Sequence, residues 1–450
     1  MTASIDLGIL AEVLFFSAGL TRKMKTSAGT YYMRAAPATG ALYPIELYVV
    51  TGGIPSLPPG VYHFNPRDFA LVKLRDGDYS AELAAAVGRA GLTQPVTVAF
   101  TSLAWRNAWK YEARSYRHWF WDSGVIAANL LATLFSEGLT ARLDLGFVDR
   151  DVNRLLGLEE GKEAAVALAQ IGDSLHRSPE DELKKISELV LEVEPLSREE
   201  AEYAEIWRTN EESELQSPGE VEAWREGLGP HTQAVRTPWP TFQLQPLREE
   251  RSTPPLEEVI LRRGSTRRFS PQPISFENLS TIIDASTSQI PLDFLPHGES
   301  LIDFYFIANQ VQGLPSGSYF FDREKDSLGQ LKAGRFRDMS GYLCLEQPLF
   351  SDASAVFFLM TDLARVLASL GNRGYRAAQF EAGVRAGKIY LSSYALGMGA
   401  SGSTFYDDAV TEFFSPQAKD RATMIAVGIG MPAYKARPGK ILVGSGDQPP

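Results

Sequence analysis

The chain contains an internal repeat of about half its length. Arg-Ser-Tyr-Arg at residues 114–117 recurs as Arg-Gly-Tyr-Arg at residues 373–376, which lie 259 positions later. The same interval pairs Asp122 with Glu381, Gly124 with Gly383, Val125 with Val384, Gly138 with Gly397 and the run 96–101 with 355–360. Upstream, an interval of 257 pairs residues 46–48 with 303–305, 57–60 with 314–317 and Tyr62 with Tyr319. These nearly constant intervals predict a duplicated domain; the simpler alternative is that Gly and Pro recur at turns in unrelated folds.

Each copy predicts the same order of elements: an amphipathic helix, a β-rich run, a Pro–Gly turn and a long apolar helix. These elements fall at about residues 7–14, 47–51, 57–60 and 122–137 in the first copy and at 279–283, 304–308, 314–317 and 381–396 in the second. A helix that is apolar on nearly all sides is expected in the centre of a domain. The predicted fold class is α+β, with two fused domains that form a pseudo-dimer within one chain.

The two domains are predicted at residues 1–173 and 255–450, joined by an acidic linker at residues 174–254. Residues 174–226 contain 16 Asp and Glu against 6 Lys and Arg, which accounts for nearly the whole net charge of −11. A linker of this composition is expected to be solvated, with helical stretches at residues 182–190 and 198–208 that would wrap the domains, and we assign no chemistry to it.

Composition limits the partners of the chain. The net charge of −11 argues against nucleic acid, whose phosphates need a basic face, and the absence of a run of about 18 apolar residues argues against a membrane span. The first residues lack the basic start of a signal peptide, and the single cysteine, Cys344, cannot form an internal disulfide. We therefore expect a cytoplasmic protein. The five histidines lack zinc-type spacing, so no metal is expected.

Two motifs occur in one copy each. Residues 34–44 have the sequence Arg-Ala-Ala-Pro-Ala-Thr-Gly-Ala-Leu-Tyr-Pro, and the corresponding loop of the second copy, within residues 286–302, is about ten residues shorter. The second copy has Arg-Gly-Ser-Thr-Arg at residues 263–267, and the equivalent of this motif in the first copy would fall before residue 1. Because the losses are complementary, we expect one complete site in the chain rather than two.

The second-copy motif is suited to binding phosphate. Arg263, Ser265 and Arg267 alternate in a stretch that is predicted to be extended between two helices, the second capped by Ser275, and alternation places their side chains on one side. Two guanidinium groups and a hydroxyl can bind a phosphate dianion. The alternative is an ordinary basic turn in solvent.

Two later segments are candidates for the same site. Lys435 and Arg437 add cations near the end of the second copy. A glycine-rich turn that contains Gly399, Ser401 and Gly402 would let backbone N–H groups approach a ligand closely, although such a turn is also common without a ligand.

Several segments together resemble a known family. Residues 263–275, in which the Arg-x-Ser-x-Arg motif precedes Phe269 and Pro-Ile-Ser before a helix, resemble the opening of the nitroreductase-like flavoprotein superfamily. Residues 34–48 resemble its SagB-type branch, the azoline dehydrogenases of thiazole and oxazole peptide synthesis. Lys-Tyr-Glu-Ala-Arg-Ser-Tyr-Arg at residues 110–117, followed by Asp-Ser-Gly at 122–124, resembles the same branch. The resemblance covers residues 8–172 and 255–438.

The resemblance implies FMN as cofactor, a homodimeric α+β fold and a flavin between two subunits, so a duplicated chain would hold one flavin between its copies. One subunit of such a dimer supplies the Arg-x-Ser-x-Arg clasp and a C-terminal Lys-x-Arg, and the other supplies a Pro-Ser-x-Gly-type loop. The matching residues here are Arg263, Ser265, Arg267, Lys435 and Arg437 for the clasp and Pro37, Ala38, Thr39 and Gly40 for the loop. Ala38 replaces the usual serine and lacks its hydroxyl, for which Thr39 offers a substitute.

Lys110 and Tyr111 match the Lys-Tyr pair for which the family implies proton abstraction, whereas the second copy has Ser369 and Leu370 at the aligned positions. Oxidation of a C–N ring by a flavin needs hydride transfer and a base for the departing proton. A lysine becomes such a base beside other cations or an apolar wall, and this segment is rich in arginine and tryptophan. The alternative is an aromatic packing segment with solvated cations.

The leading hypothesis is an FMN-dependent oxidoreductase, a SagB-type dehydrogenase that oxidises a small heterocycle or a modified peptide. The second hypothesis is an NAD(P)H-dependent nitro- or quinone reductase on the same scaffold, in which NAD(P)H would be the electron donor. The third is a flavin-binding pseudoenzyme or a partner-binding protein. The expected partners are a small-molecule or peptide substrate, without nucleic acid or membrane, and a higher oligomer is compatible with the pseudo-dimer.

Overall fold

The computed structural model describes residues 4–27, 29–176, 183–191, 193, 195–229, 239–248 and 253–443. The chain forms two compact units. The first unit comprises Met1–Leu228, Ile290–Leu295 and Lys440–Pro450, and the second comprises Gly229–Gln289 and Pro296–Gly439. Among the described residues, no helix is both long and apolar enough to cross a membrane.

The first unit contains the helices and strands of the first copy and of the acidic segment that follows it. Its helices are α1 (Leu7–Ala18), α2 (Ser80–Ala86), α3 (Trp105–Tyr111), α4 (Ser115–Ser136), α5 (Asp149–Leu156), α6 (Ala204–Glu211) and α7 (Pro218–Glu226), with 3₁₀ turns at Thr39–Ala41 and Glu112–Arg114. Its strands are β1 (Leu20–Thr26), β2 (Gly29–Arg34), β3 (Ile45–Thr51), β4 (Gly60–Asn65), β5 (Ala70–Asp76), β6 (Leu92–Thr93), β7 (Val96–Leu103), β8 (Ala141–Asp144), β9 (Glu163–Ile171) and β10 (Leu175–His176).

The second unit repeats much of this order. Its helices are α8 (Leu256–Arg262), α9 (Phe276–Thr287), α10 (Arg337–Leu343), α11 (Pro348–Asp352), α12 (Leu363–Leu370), α13 (Arg373–Ala395) and α14 (Asp407–Phe414). Its strands are β11 (Thr241–Gln243), β12 (Ile274–Ser275), β13 (Asp303–Ala308), β14 (Val311–Gln312), β15 (Gly317–Asp322), β16 (Ser327–Ala333), β17 (Ala355–Thr361), β18 (Gly399–Ser403) and β19 (Ala422–Gly430).

The main sheets of the two units have the same topology. The first has the strand order β5-β4-β3-β7-β9-β8, and the second has β16-β15-β13-β17-β19-β18 with β11 added beside β16. Neighbouring strands in both sheets are antiparallel. The predicted α+β fold with two fused domains is therefore confirmed.

The strand registers confirm the duplication residue by residue. Tyr48 pairs with Ala99 in the first sheet, and Tyr305 pairs with Phe358 in the second, which are the partners required by the intervals of 257 and 259. The register irregularity after Val61 in the first sheet recurs after Ser318 in the second, again 257 residues later. Because an irregularity re-aims a strand at one position, its repetition indicates a copied structure rather than shared turn chemistry.

The long central helix of each unit begins earlier than the apolar pattern predicted. The prediction was 122–137 and 381–396, whereas α4 spans Ser115–Ser136 and α13 spans Arg373–Ala395. The first two turns of both helices contain arginine and tyrosine, and those of α4 also contain a histidine, so a search for apolar residues misses these turns. Most of both helices is buried, as the pattern indicated. Ser275 caps α9 as predicted, because its side chain accepts a hydrogen bond from the backbone N–H of Asn278.

Part of the acidic segment is packed rather than solvated. Ile206 on α6 and Val221 and Trp224 on α7 are buried in the first unit, although most of their neighbours are exposed. Of the two helical stretches expected to wrap the domains, the second is overlapped by α6, whereas the described residues 183–190 form no helix and α7 was not predicted. The apolar residues of α6 and α7 are too sparse in an acidic background for composition to reveal them.

A short segment from the second half of the sequence completes the sheet edge of the first unit. The N–H of Leu143 on β8 donates to the carbonyl of Pro291, and the N–H of Asp293 donates to the carbonyl of Leu143. The Asp293 carboxylate is buried and accepts hydrogen bonds from the N–H groups of Leu145 and Gly146 at 2.9 and 3.0 Å. The edge strand β8 is thus covered by residues encoded about 150 positions later.

Candidate functional site

The predicted loop of the first copy is held by a buried carboxylate on α4. The backbone N–H of Thr39 donates to both oxygens of Asp122 at 2.9 and 3.1 Å, and the Thr39 hydroxyl donates to Asp122 Oδ1 at 2.9 Å. Gly40 follows in the left-handed region with a φ of 62°. The loop predicted from residues 37–40 therefore has a defined shape, anchored to a side chain 83 residues away in the sequence.

Asp122 has an unusual protonation equilibrium. Burial raises the pKa of its carboxyl to about 7, although the hydrogen bonds from Thr39 act in the opposite direction. The sequence comparison paired Asp122 with Glu381 but assigned it no role. Its contact with Thr39 shows that it shapes the loop.

The Lys-Tyr pair lies against the same loop. A Cβ atom on Gly40 would lie 2.6 Å from the Tyr111 hydroxyl oxygen, so the ring occupies the space that the glycine leaves. The Lys110 ammonium is exposed and lies 5.2 Å from the centre of the Tyr111 ring. The Tyr111 ring also contacts His118 in an edge-to-face arrangement, with 4.7 Å between the ring centroids. Within the first unit, the structure thus brings Lys110, Tyr111 and the 37–40 loop together.

His118 beneath this pair is neutral. Burial, followed by the positive charges of Arg114 and Arg117, lowers the pKa of its imidazole to about 3. The charges of both arginines thus act on the His118 imidazole, which contacts the Tyr111 ring. His118 itself cannot contribute a charge near neutral pH.

A second buried carboxylate joins the base of the loop to α3. Glu46 forms ion pairs with Arg34 at 3.1 Å, with His63 at 2.7 Å and with Arg106, which lies one turn before Lys110. Arg34 also donates to the carbonyl of Ile45, and Arg106 donates to the carbonyl of Tyr43. Burial would raise the pKa of Glu46, but the arginines and His63 hold it well below its usual range. Sequence reasoning missed this cluster.

The tryptophans of the same segment divide into two classes. Trp119 and Trp121 are buried in the first unit, and Trp119 packs against Trp207 of α6. Trp109 is 53% exposed. The packing alternative therefore holds for Trp119 and Trp121, and Trp109 is the member of this group that is available to cover a ligand.

In the second unit, the clasp residues lie against α13 and β18. The Ser265 hydroxyl lies 3.4 Å from the hydroxyl of Tyr390, and that oxygen accepts the backbone N–H of Gly402 at 2.6 Å. Arg263 is buried close enough to Tyr390 for its charge to act on the phenol. The structure therefore brings the 263–267 motif and the glycine-rich turn together through Tyr390, which sequence reasoning did not select.

The two glycines of that turn have different surroundings. A Cβ atom on Gly399 would collide with the Thr266 hydroxyl, so protein packing accounts for that glycine. A Cβ atom on Gly402 would meet no heavy atom closer than 3.5 Å, and Gly402 is exposed. Ser401 is buried within the β18–β19 ladder.

The C-terminal cations run alongside the clasp. The backbone N–H of Arg267 donates to the Tyr434 hydroxyl at 3.0 Å, and the N–H of Ala433 donates to the carbonyl of Arg268 at 2.9 Å. Arg267, Lys435 and Arg437 are exposed, and within the described part of the chain none of the three forms an ion pair. Uncompensated cations are therefore concentrated here in a protein with a net charge of −11.

The second copy uses the Asp122-equivalent position differently. Glu381 accepts hydrogen bonds from the Ser300 hydroxyl at 2.6 Å and the Leu301 N–H at 2.9 Å, which repeats the hydroxyl and N–H contacts that Thr39 makes with Asp122. Glu381 also pairs with the buried Arg385 at 2.7 Å. Leu370, which aligns with Tyr111, is buried. In the second copy, this position therefore belongs to a buried ion pair, and neither member of the Lys-Tyr pair is present.

No group of three or more His, Cys, Asp or Glu that could bind a metal occurs among the residues that the structure describes.

Comparisons with known proteins agree with this architecture. Residues 260–430 match the Nitroreductase family. The crystal structure of a predicted nitroreductase from Anabaena variabilis is 26% identical, with a TM-score of 0.77, and the similarity covers 96% of this chain and 90% of that one. The similarity therefore extends over both units.

Two sequence relatives cover one copy. MJ1384, a predicted nitroreductase from Methanocaldococcus jannaschii, is 26% identical over 163 residues, which is 35% of this chain and 82% of that protein. The trifolitoxin-processing protein TfxB from Rhizobium leguminosarum bv. trifolii is 33% identical over 147 residues, which is 30% of this chain and only 39% of TfxB. The chain is therefore similar to nitroreductases over two fused copies of the fold, and its similarity to TfxB points to the SagB-type branch.

Proposed function

We propose that the protein is an FMN-dependent oxidoreductase of the SagB type, which dehydrogenates a small heterocycle or a modified peptide. The observation that carries the proposal is the group of exposed cations Arg267, Lys435 and Arg437 beside the half-buried Ser265 hydroxyl. Guanidinium and ammonium groups with a hydroxyl are the donors that a phosphate dianion requires. The similarity to the trifolitoxin-processing protein supports a peptide-derived substrate.

The residues of the clasp and of the glycine-rich turn are chemically suited to FMN. Arg263, Ser265 and Arg267 would hold its phosphate, with Lys435 and Arg437 adding positive charge. The open side of Gly402 leaves room for a ligand to approach the backbone. When bound, FMN would supply the acceptor for a hydride from the substrate.

Lys110 and Tyr111 would handle the proton that leaves the substrate. Lys110 is exposed, so a bound substrate would remove it from water, and a desolvated amine gives up its own proton more readily. Tyr111 is held at Gly40, and Asp122 holds the adjoining Thr39, so the pair is positioned by the loop. Trp109 would exclude water above the substrate.

A nitro- or quinone reductase is the second candidate function, because the MJ1384 relative is named a nitroreductase. The two functions differ in what reduces the flavin: the organic substrate in a dehydrogenase and NAD(P)H in a reductase. Rapid bleaching of the flavin absorbance by NADPH, without an azoline substrate, would favour the reductase. Bleaching by an azoline-containing peptide without NADPH would favour the dehydrogenase, and loss of that reaction in Lys110→Ala would assign the base.

The cofactor proposal is tested by flavin content. Purified protein should show flavin absorbance bands and release FMN, identified by mass spectrometry. The stoichiometry expected from the complementary motifs is one FMN per chain, and a reproducible value of two would contradict it.

The clasp is tested with adjacent arginines. Arg267→Ala should weaken FMN binding by roughly 1.5–3 kcal/mol, or about 10- to 150-fold, because a charge-assisted contact is lost. Arg268→Ala is the matched control, since Arg268 is also exposed and contributes its backbone carbonyl, which the substitution retains. Equal FMN affinity in Arg267→Ala and the wild type would count against the clasp.

A further inference from the structure

A buried phenol connects two parts of the clasp. Tyr390 lies on α13, its side chain is nearly inaccessible, and its hydroxyl oxygen accepts the N–H of Gly402 at 2.6 Å. The same oxygen lies 3.4 Å from Ser265 Oγ. Tyr390 thus links the 263–267 motif to the glycine-rich turn, although the sequence separates Ser265 from Tyr390 by 125 residues.

The contacts of Tyr390 determine the direction of one hydrogen bond and leave the other compatible with donation from the phenol. A backbone N–H can only donate, so the phenol oxygen accepts from Gly402. The single phenolic proton is then available to Ser265 Oγ. If Ser265 accepts it, the proton of the Ser265 hydroxyl is left to donate to a ligand. A serine arranged in this way is suited to an anion, which offers acceptors and no donors.

A second tyrosine repeats the arrangement one helical turn later. The Tyr394 hydroxyl lies 3.2 Å from Thr266 Oγ1, and the backbone N–H of Thr266 donates to the carbonyl of Ala400 on β18 at 2.9 Å. Residues four apart lie on the same face of a helix. One face of α13 therefore contacts the two consecutive residues Ser265 and Thr266.

The first copy lacks both phenols. The interval of 259 places Leu131 and Phe135 on α4 at the positions of Tyr390 and Tyr394, and Phe135 is 85% exposed. The helix forms in the first unit without these hydroxyls. The tyrosines therefore occur in the copy that has the Arg-x-Ser-x-Arg motif and are absent from the copy without it.

We propose that Tyr390 and Tyr394 are positioning residues for phosphate binding, and that Tyr390 orients the Ser265 hydroxyl as a donor to the phosphate of FMN. This inference rests on the proposed function and adds two residues that would act on the cofactor through their contacts with Ser265 and Thr266.

The test compares FMN with riboflavin, which lacks the phosphate. Binding of each flavin to the apoprotein is measured by quenching of flavin fluorescence in the wild type and in Tyr390→Phe. Loss of one oriented hydrogen bond should weaken FMN binding about 3- to 10-fold and leave riboflavin binding unchanged. A merely structural role would weaken the binding of both flavins or neither, so the ratio of the two affinities identifies action through the phosphate.

Tyr305→Phe is the matched control. Tyr305 is also buried in the second unit, and its hydroxyl donates to the carbonyl of Gln417 at 3.2 Å, away from the clasp residues. This variant should lose stability without a change in the affinity ratio. In a Ser265→Ala background, Tyr390→Phe should have no further effect on the ratio, because its target is gone. If Tyr390→Phe does not fold, Tyr394→Phe should lower the ratio in the same direction.

The outcomes separate the two proposals. A wild type that binds FMN no better than riboflavin would overturn the phosphate clasp, and the inference with it. A wild type that prefers FMN, with an unchanged preference in Tyr390→Phe and Tyr394→Phe, would overturn the inference alone. A Tyr390→Phe effect of the same size with and without Ser265 would show that the phenol does not act through this serine.

Discussion

Replacing Gly40 by alanine tests whether the loop and the Lys-Tyr pair are in contact. Gly40 has a φ of 62°, where an alanine costs about 1–2 kcal/mol in strain. The new Cβ would also lie 2.6 Å from the Tyr111 hydroxyl and 3.3 Å from its ring. Displacing a packed side chain costs about 1–3 kcal/mol. Gly40→Ala should therefore lower the free energy of unfolding of the first unit by roughly 2–5 kcal/mol.

The chain offers a control that isolates the contact. Gly161 has a φ of 76°, but a Cβ atom there would meet no heavy atom within 4 Å. Gly161→Ala should thus cost only the strain, about 1–2 kcal/mol. Urea unfolding followed by tryptophan fluorescence is suitable, since six of the seven tryptophans lie within residues 1–228.

A double mutant then assigns the difference to Tyr111. Tyr111→Phe removes the atom that is closest to the new Cβ, so Gly40→Ala should cost about 1 kcal/mol less in that background. The cost of Gly161→Ala should be the same in both backgrounds. The reasoning would be refuted if Gly40→Ala and Gly161→Ala cost the same free energy with either residue at position 111.

Three further predictions concern buried carboxylates of the first unit. Burial raises the folded-state pKa of Asp122 to about 7, so the folded state binds an extra proton between about pH 4 and 7, and the free energy of unfolding falls as the pH rises through this range. Asp122→Asn should make this fall smaller by up to about 1.4 kcal/mol per pH unit, measured by urea unfolding at several pH values. Glu46→Gln should lower the free energy of unfolding by roughly 3 kcal/mol because it leaves two arginines without their carboxylate. Glu163→Gln should lower it less, because burial raises the pKa of Glu163 and so favours the neutral form that glutamine resembles. Equal losses of stability in calorimetry would contradict this. Asp293→Ala should destabilise the first unit by about 3–5 kcal/mol because Arg225, at 2.8 Å, loses its partner. An unchanged midpoint of urea unfolding would show that the contacts of Asp293 do not stabilise the first unit.

The duplicated core could be predicted from sequence because its residues recur at nearly constant intervals. The intervals do not predict which residue Tyr48 pairs with, but they require that its pairing with Ala99 recur as the pairing of Tyr305 with Phe358. The convergence of Thr39, Gly40 and Tyr111 could also be expected, since all three belong to motifs of one resemblance.

The supporting residues could not be predicted in the same way. Tyr390 and Tyr394 lie in a helix whose apolar character suggests only burial, and a tyrosine in such a position usually indicates packing. The ion pairs of Glu46 join residues 12, 17 and 60 positions apart, so they become visible only when the strands and α3 are assembled. Sequence patterns reveal periodic burial and local motifs, whereas the partner of a buried charge depends on tertiary contacts.

The first unit is built from segments that are far apart in the sequence, which has a consequence for its folding during synthesis. Its edge strand β8 is covered by Ile290–Leu295, and the N–H groups of Lys440 and Leu442 donate to the carbonyls of Thr21 and Leu20 on β1. A ribosome adds about 5–20 residues per second, so a nascent chain that has emerged to residue 228 waits about 3–12 seconds for Ile290 and about 10–40 seconds for Lys440. During that time, β8 has an unpaired edge and Leu145 and Gly146 lack the acceptor that Asp293 provides. The first unit therefore cannot complete its structure until these segments are made, and the unpaired edge of β8 is expected to be prone to aggregation until then.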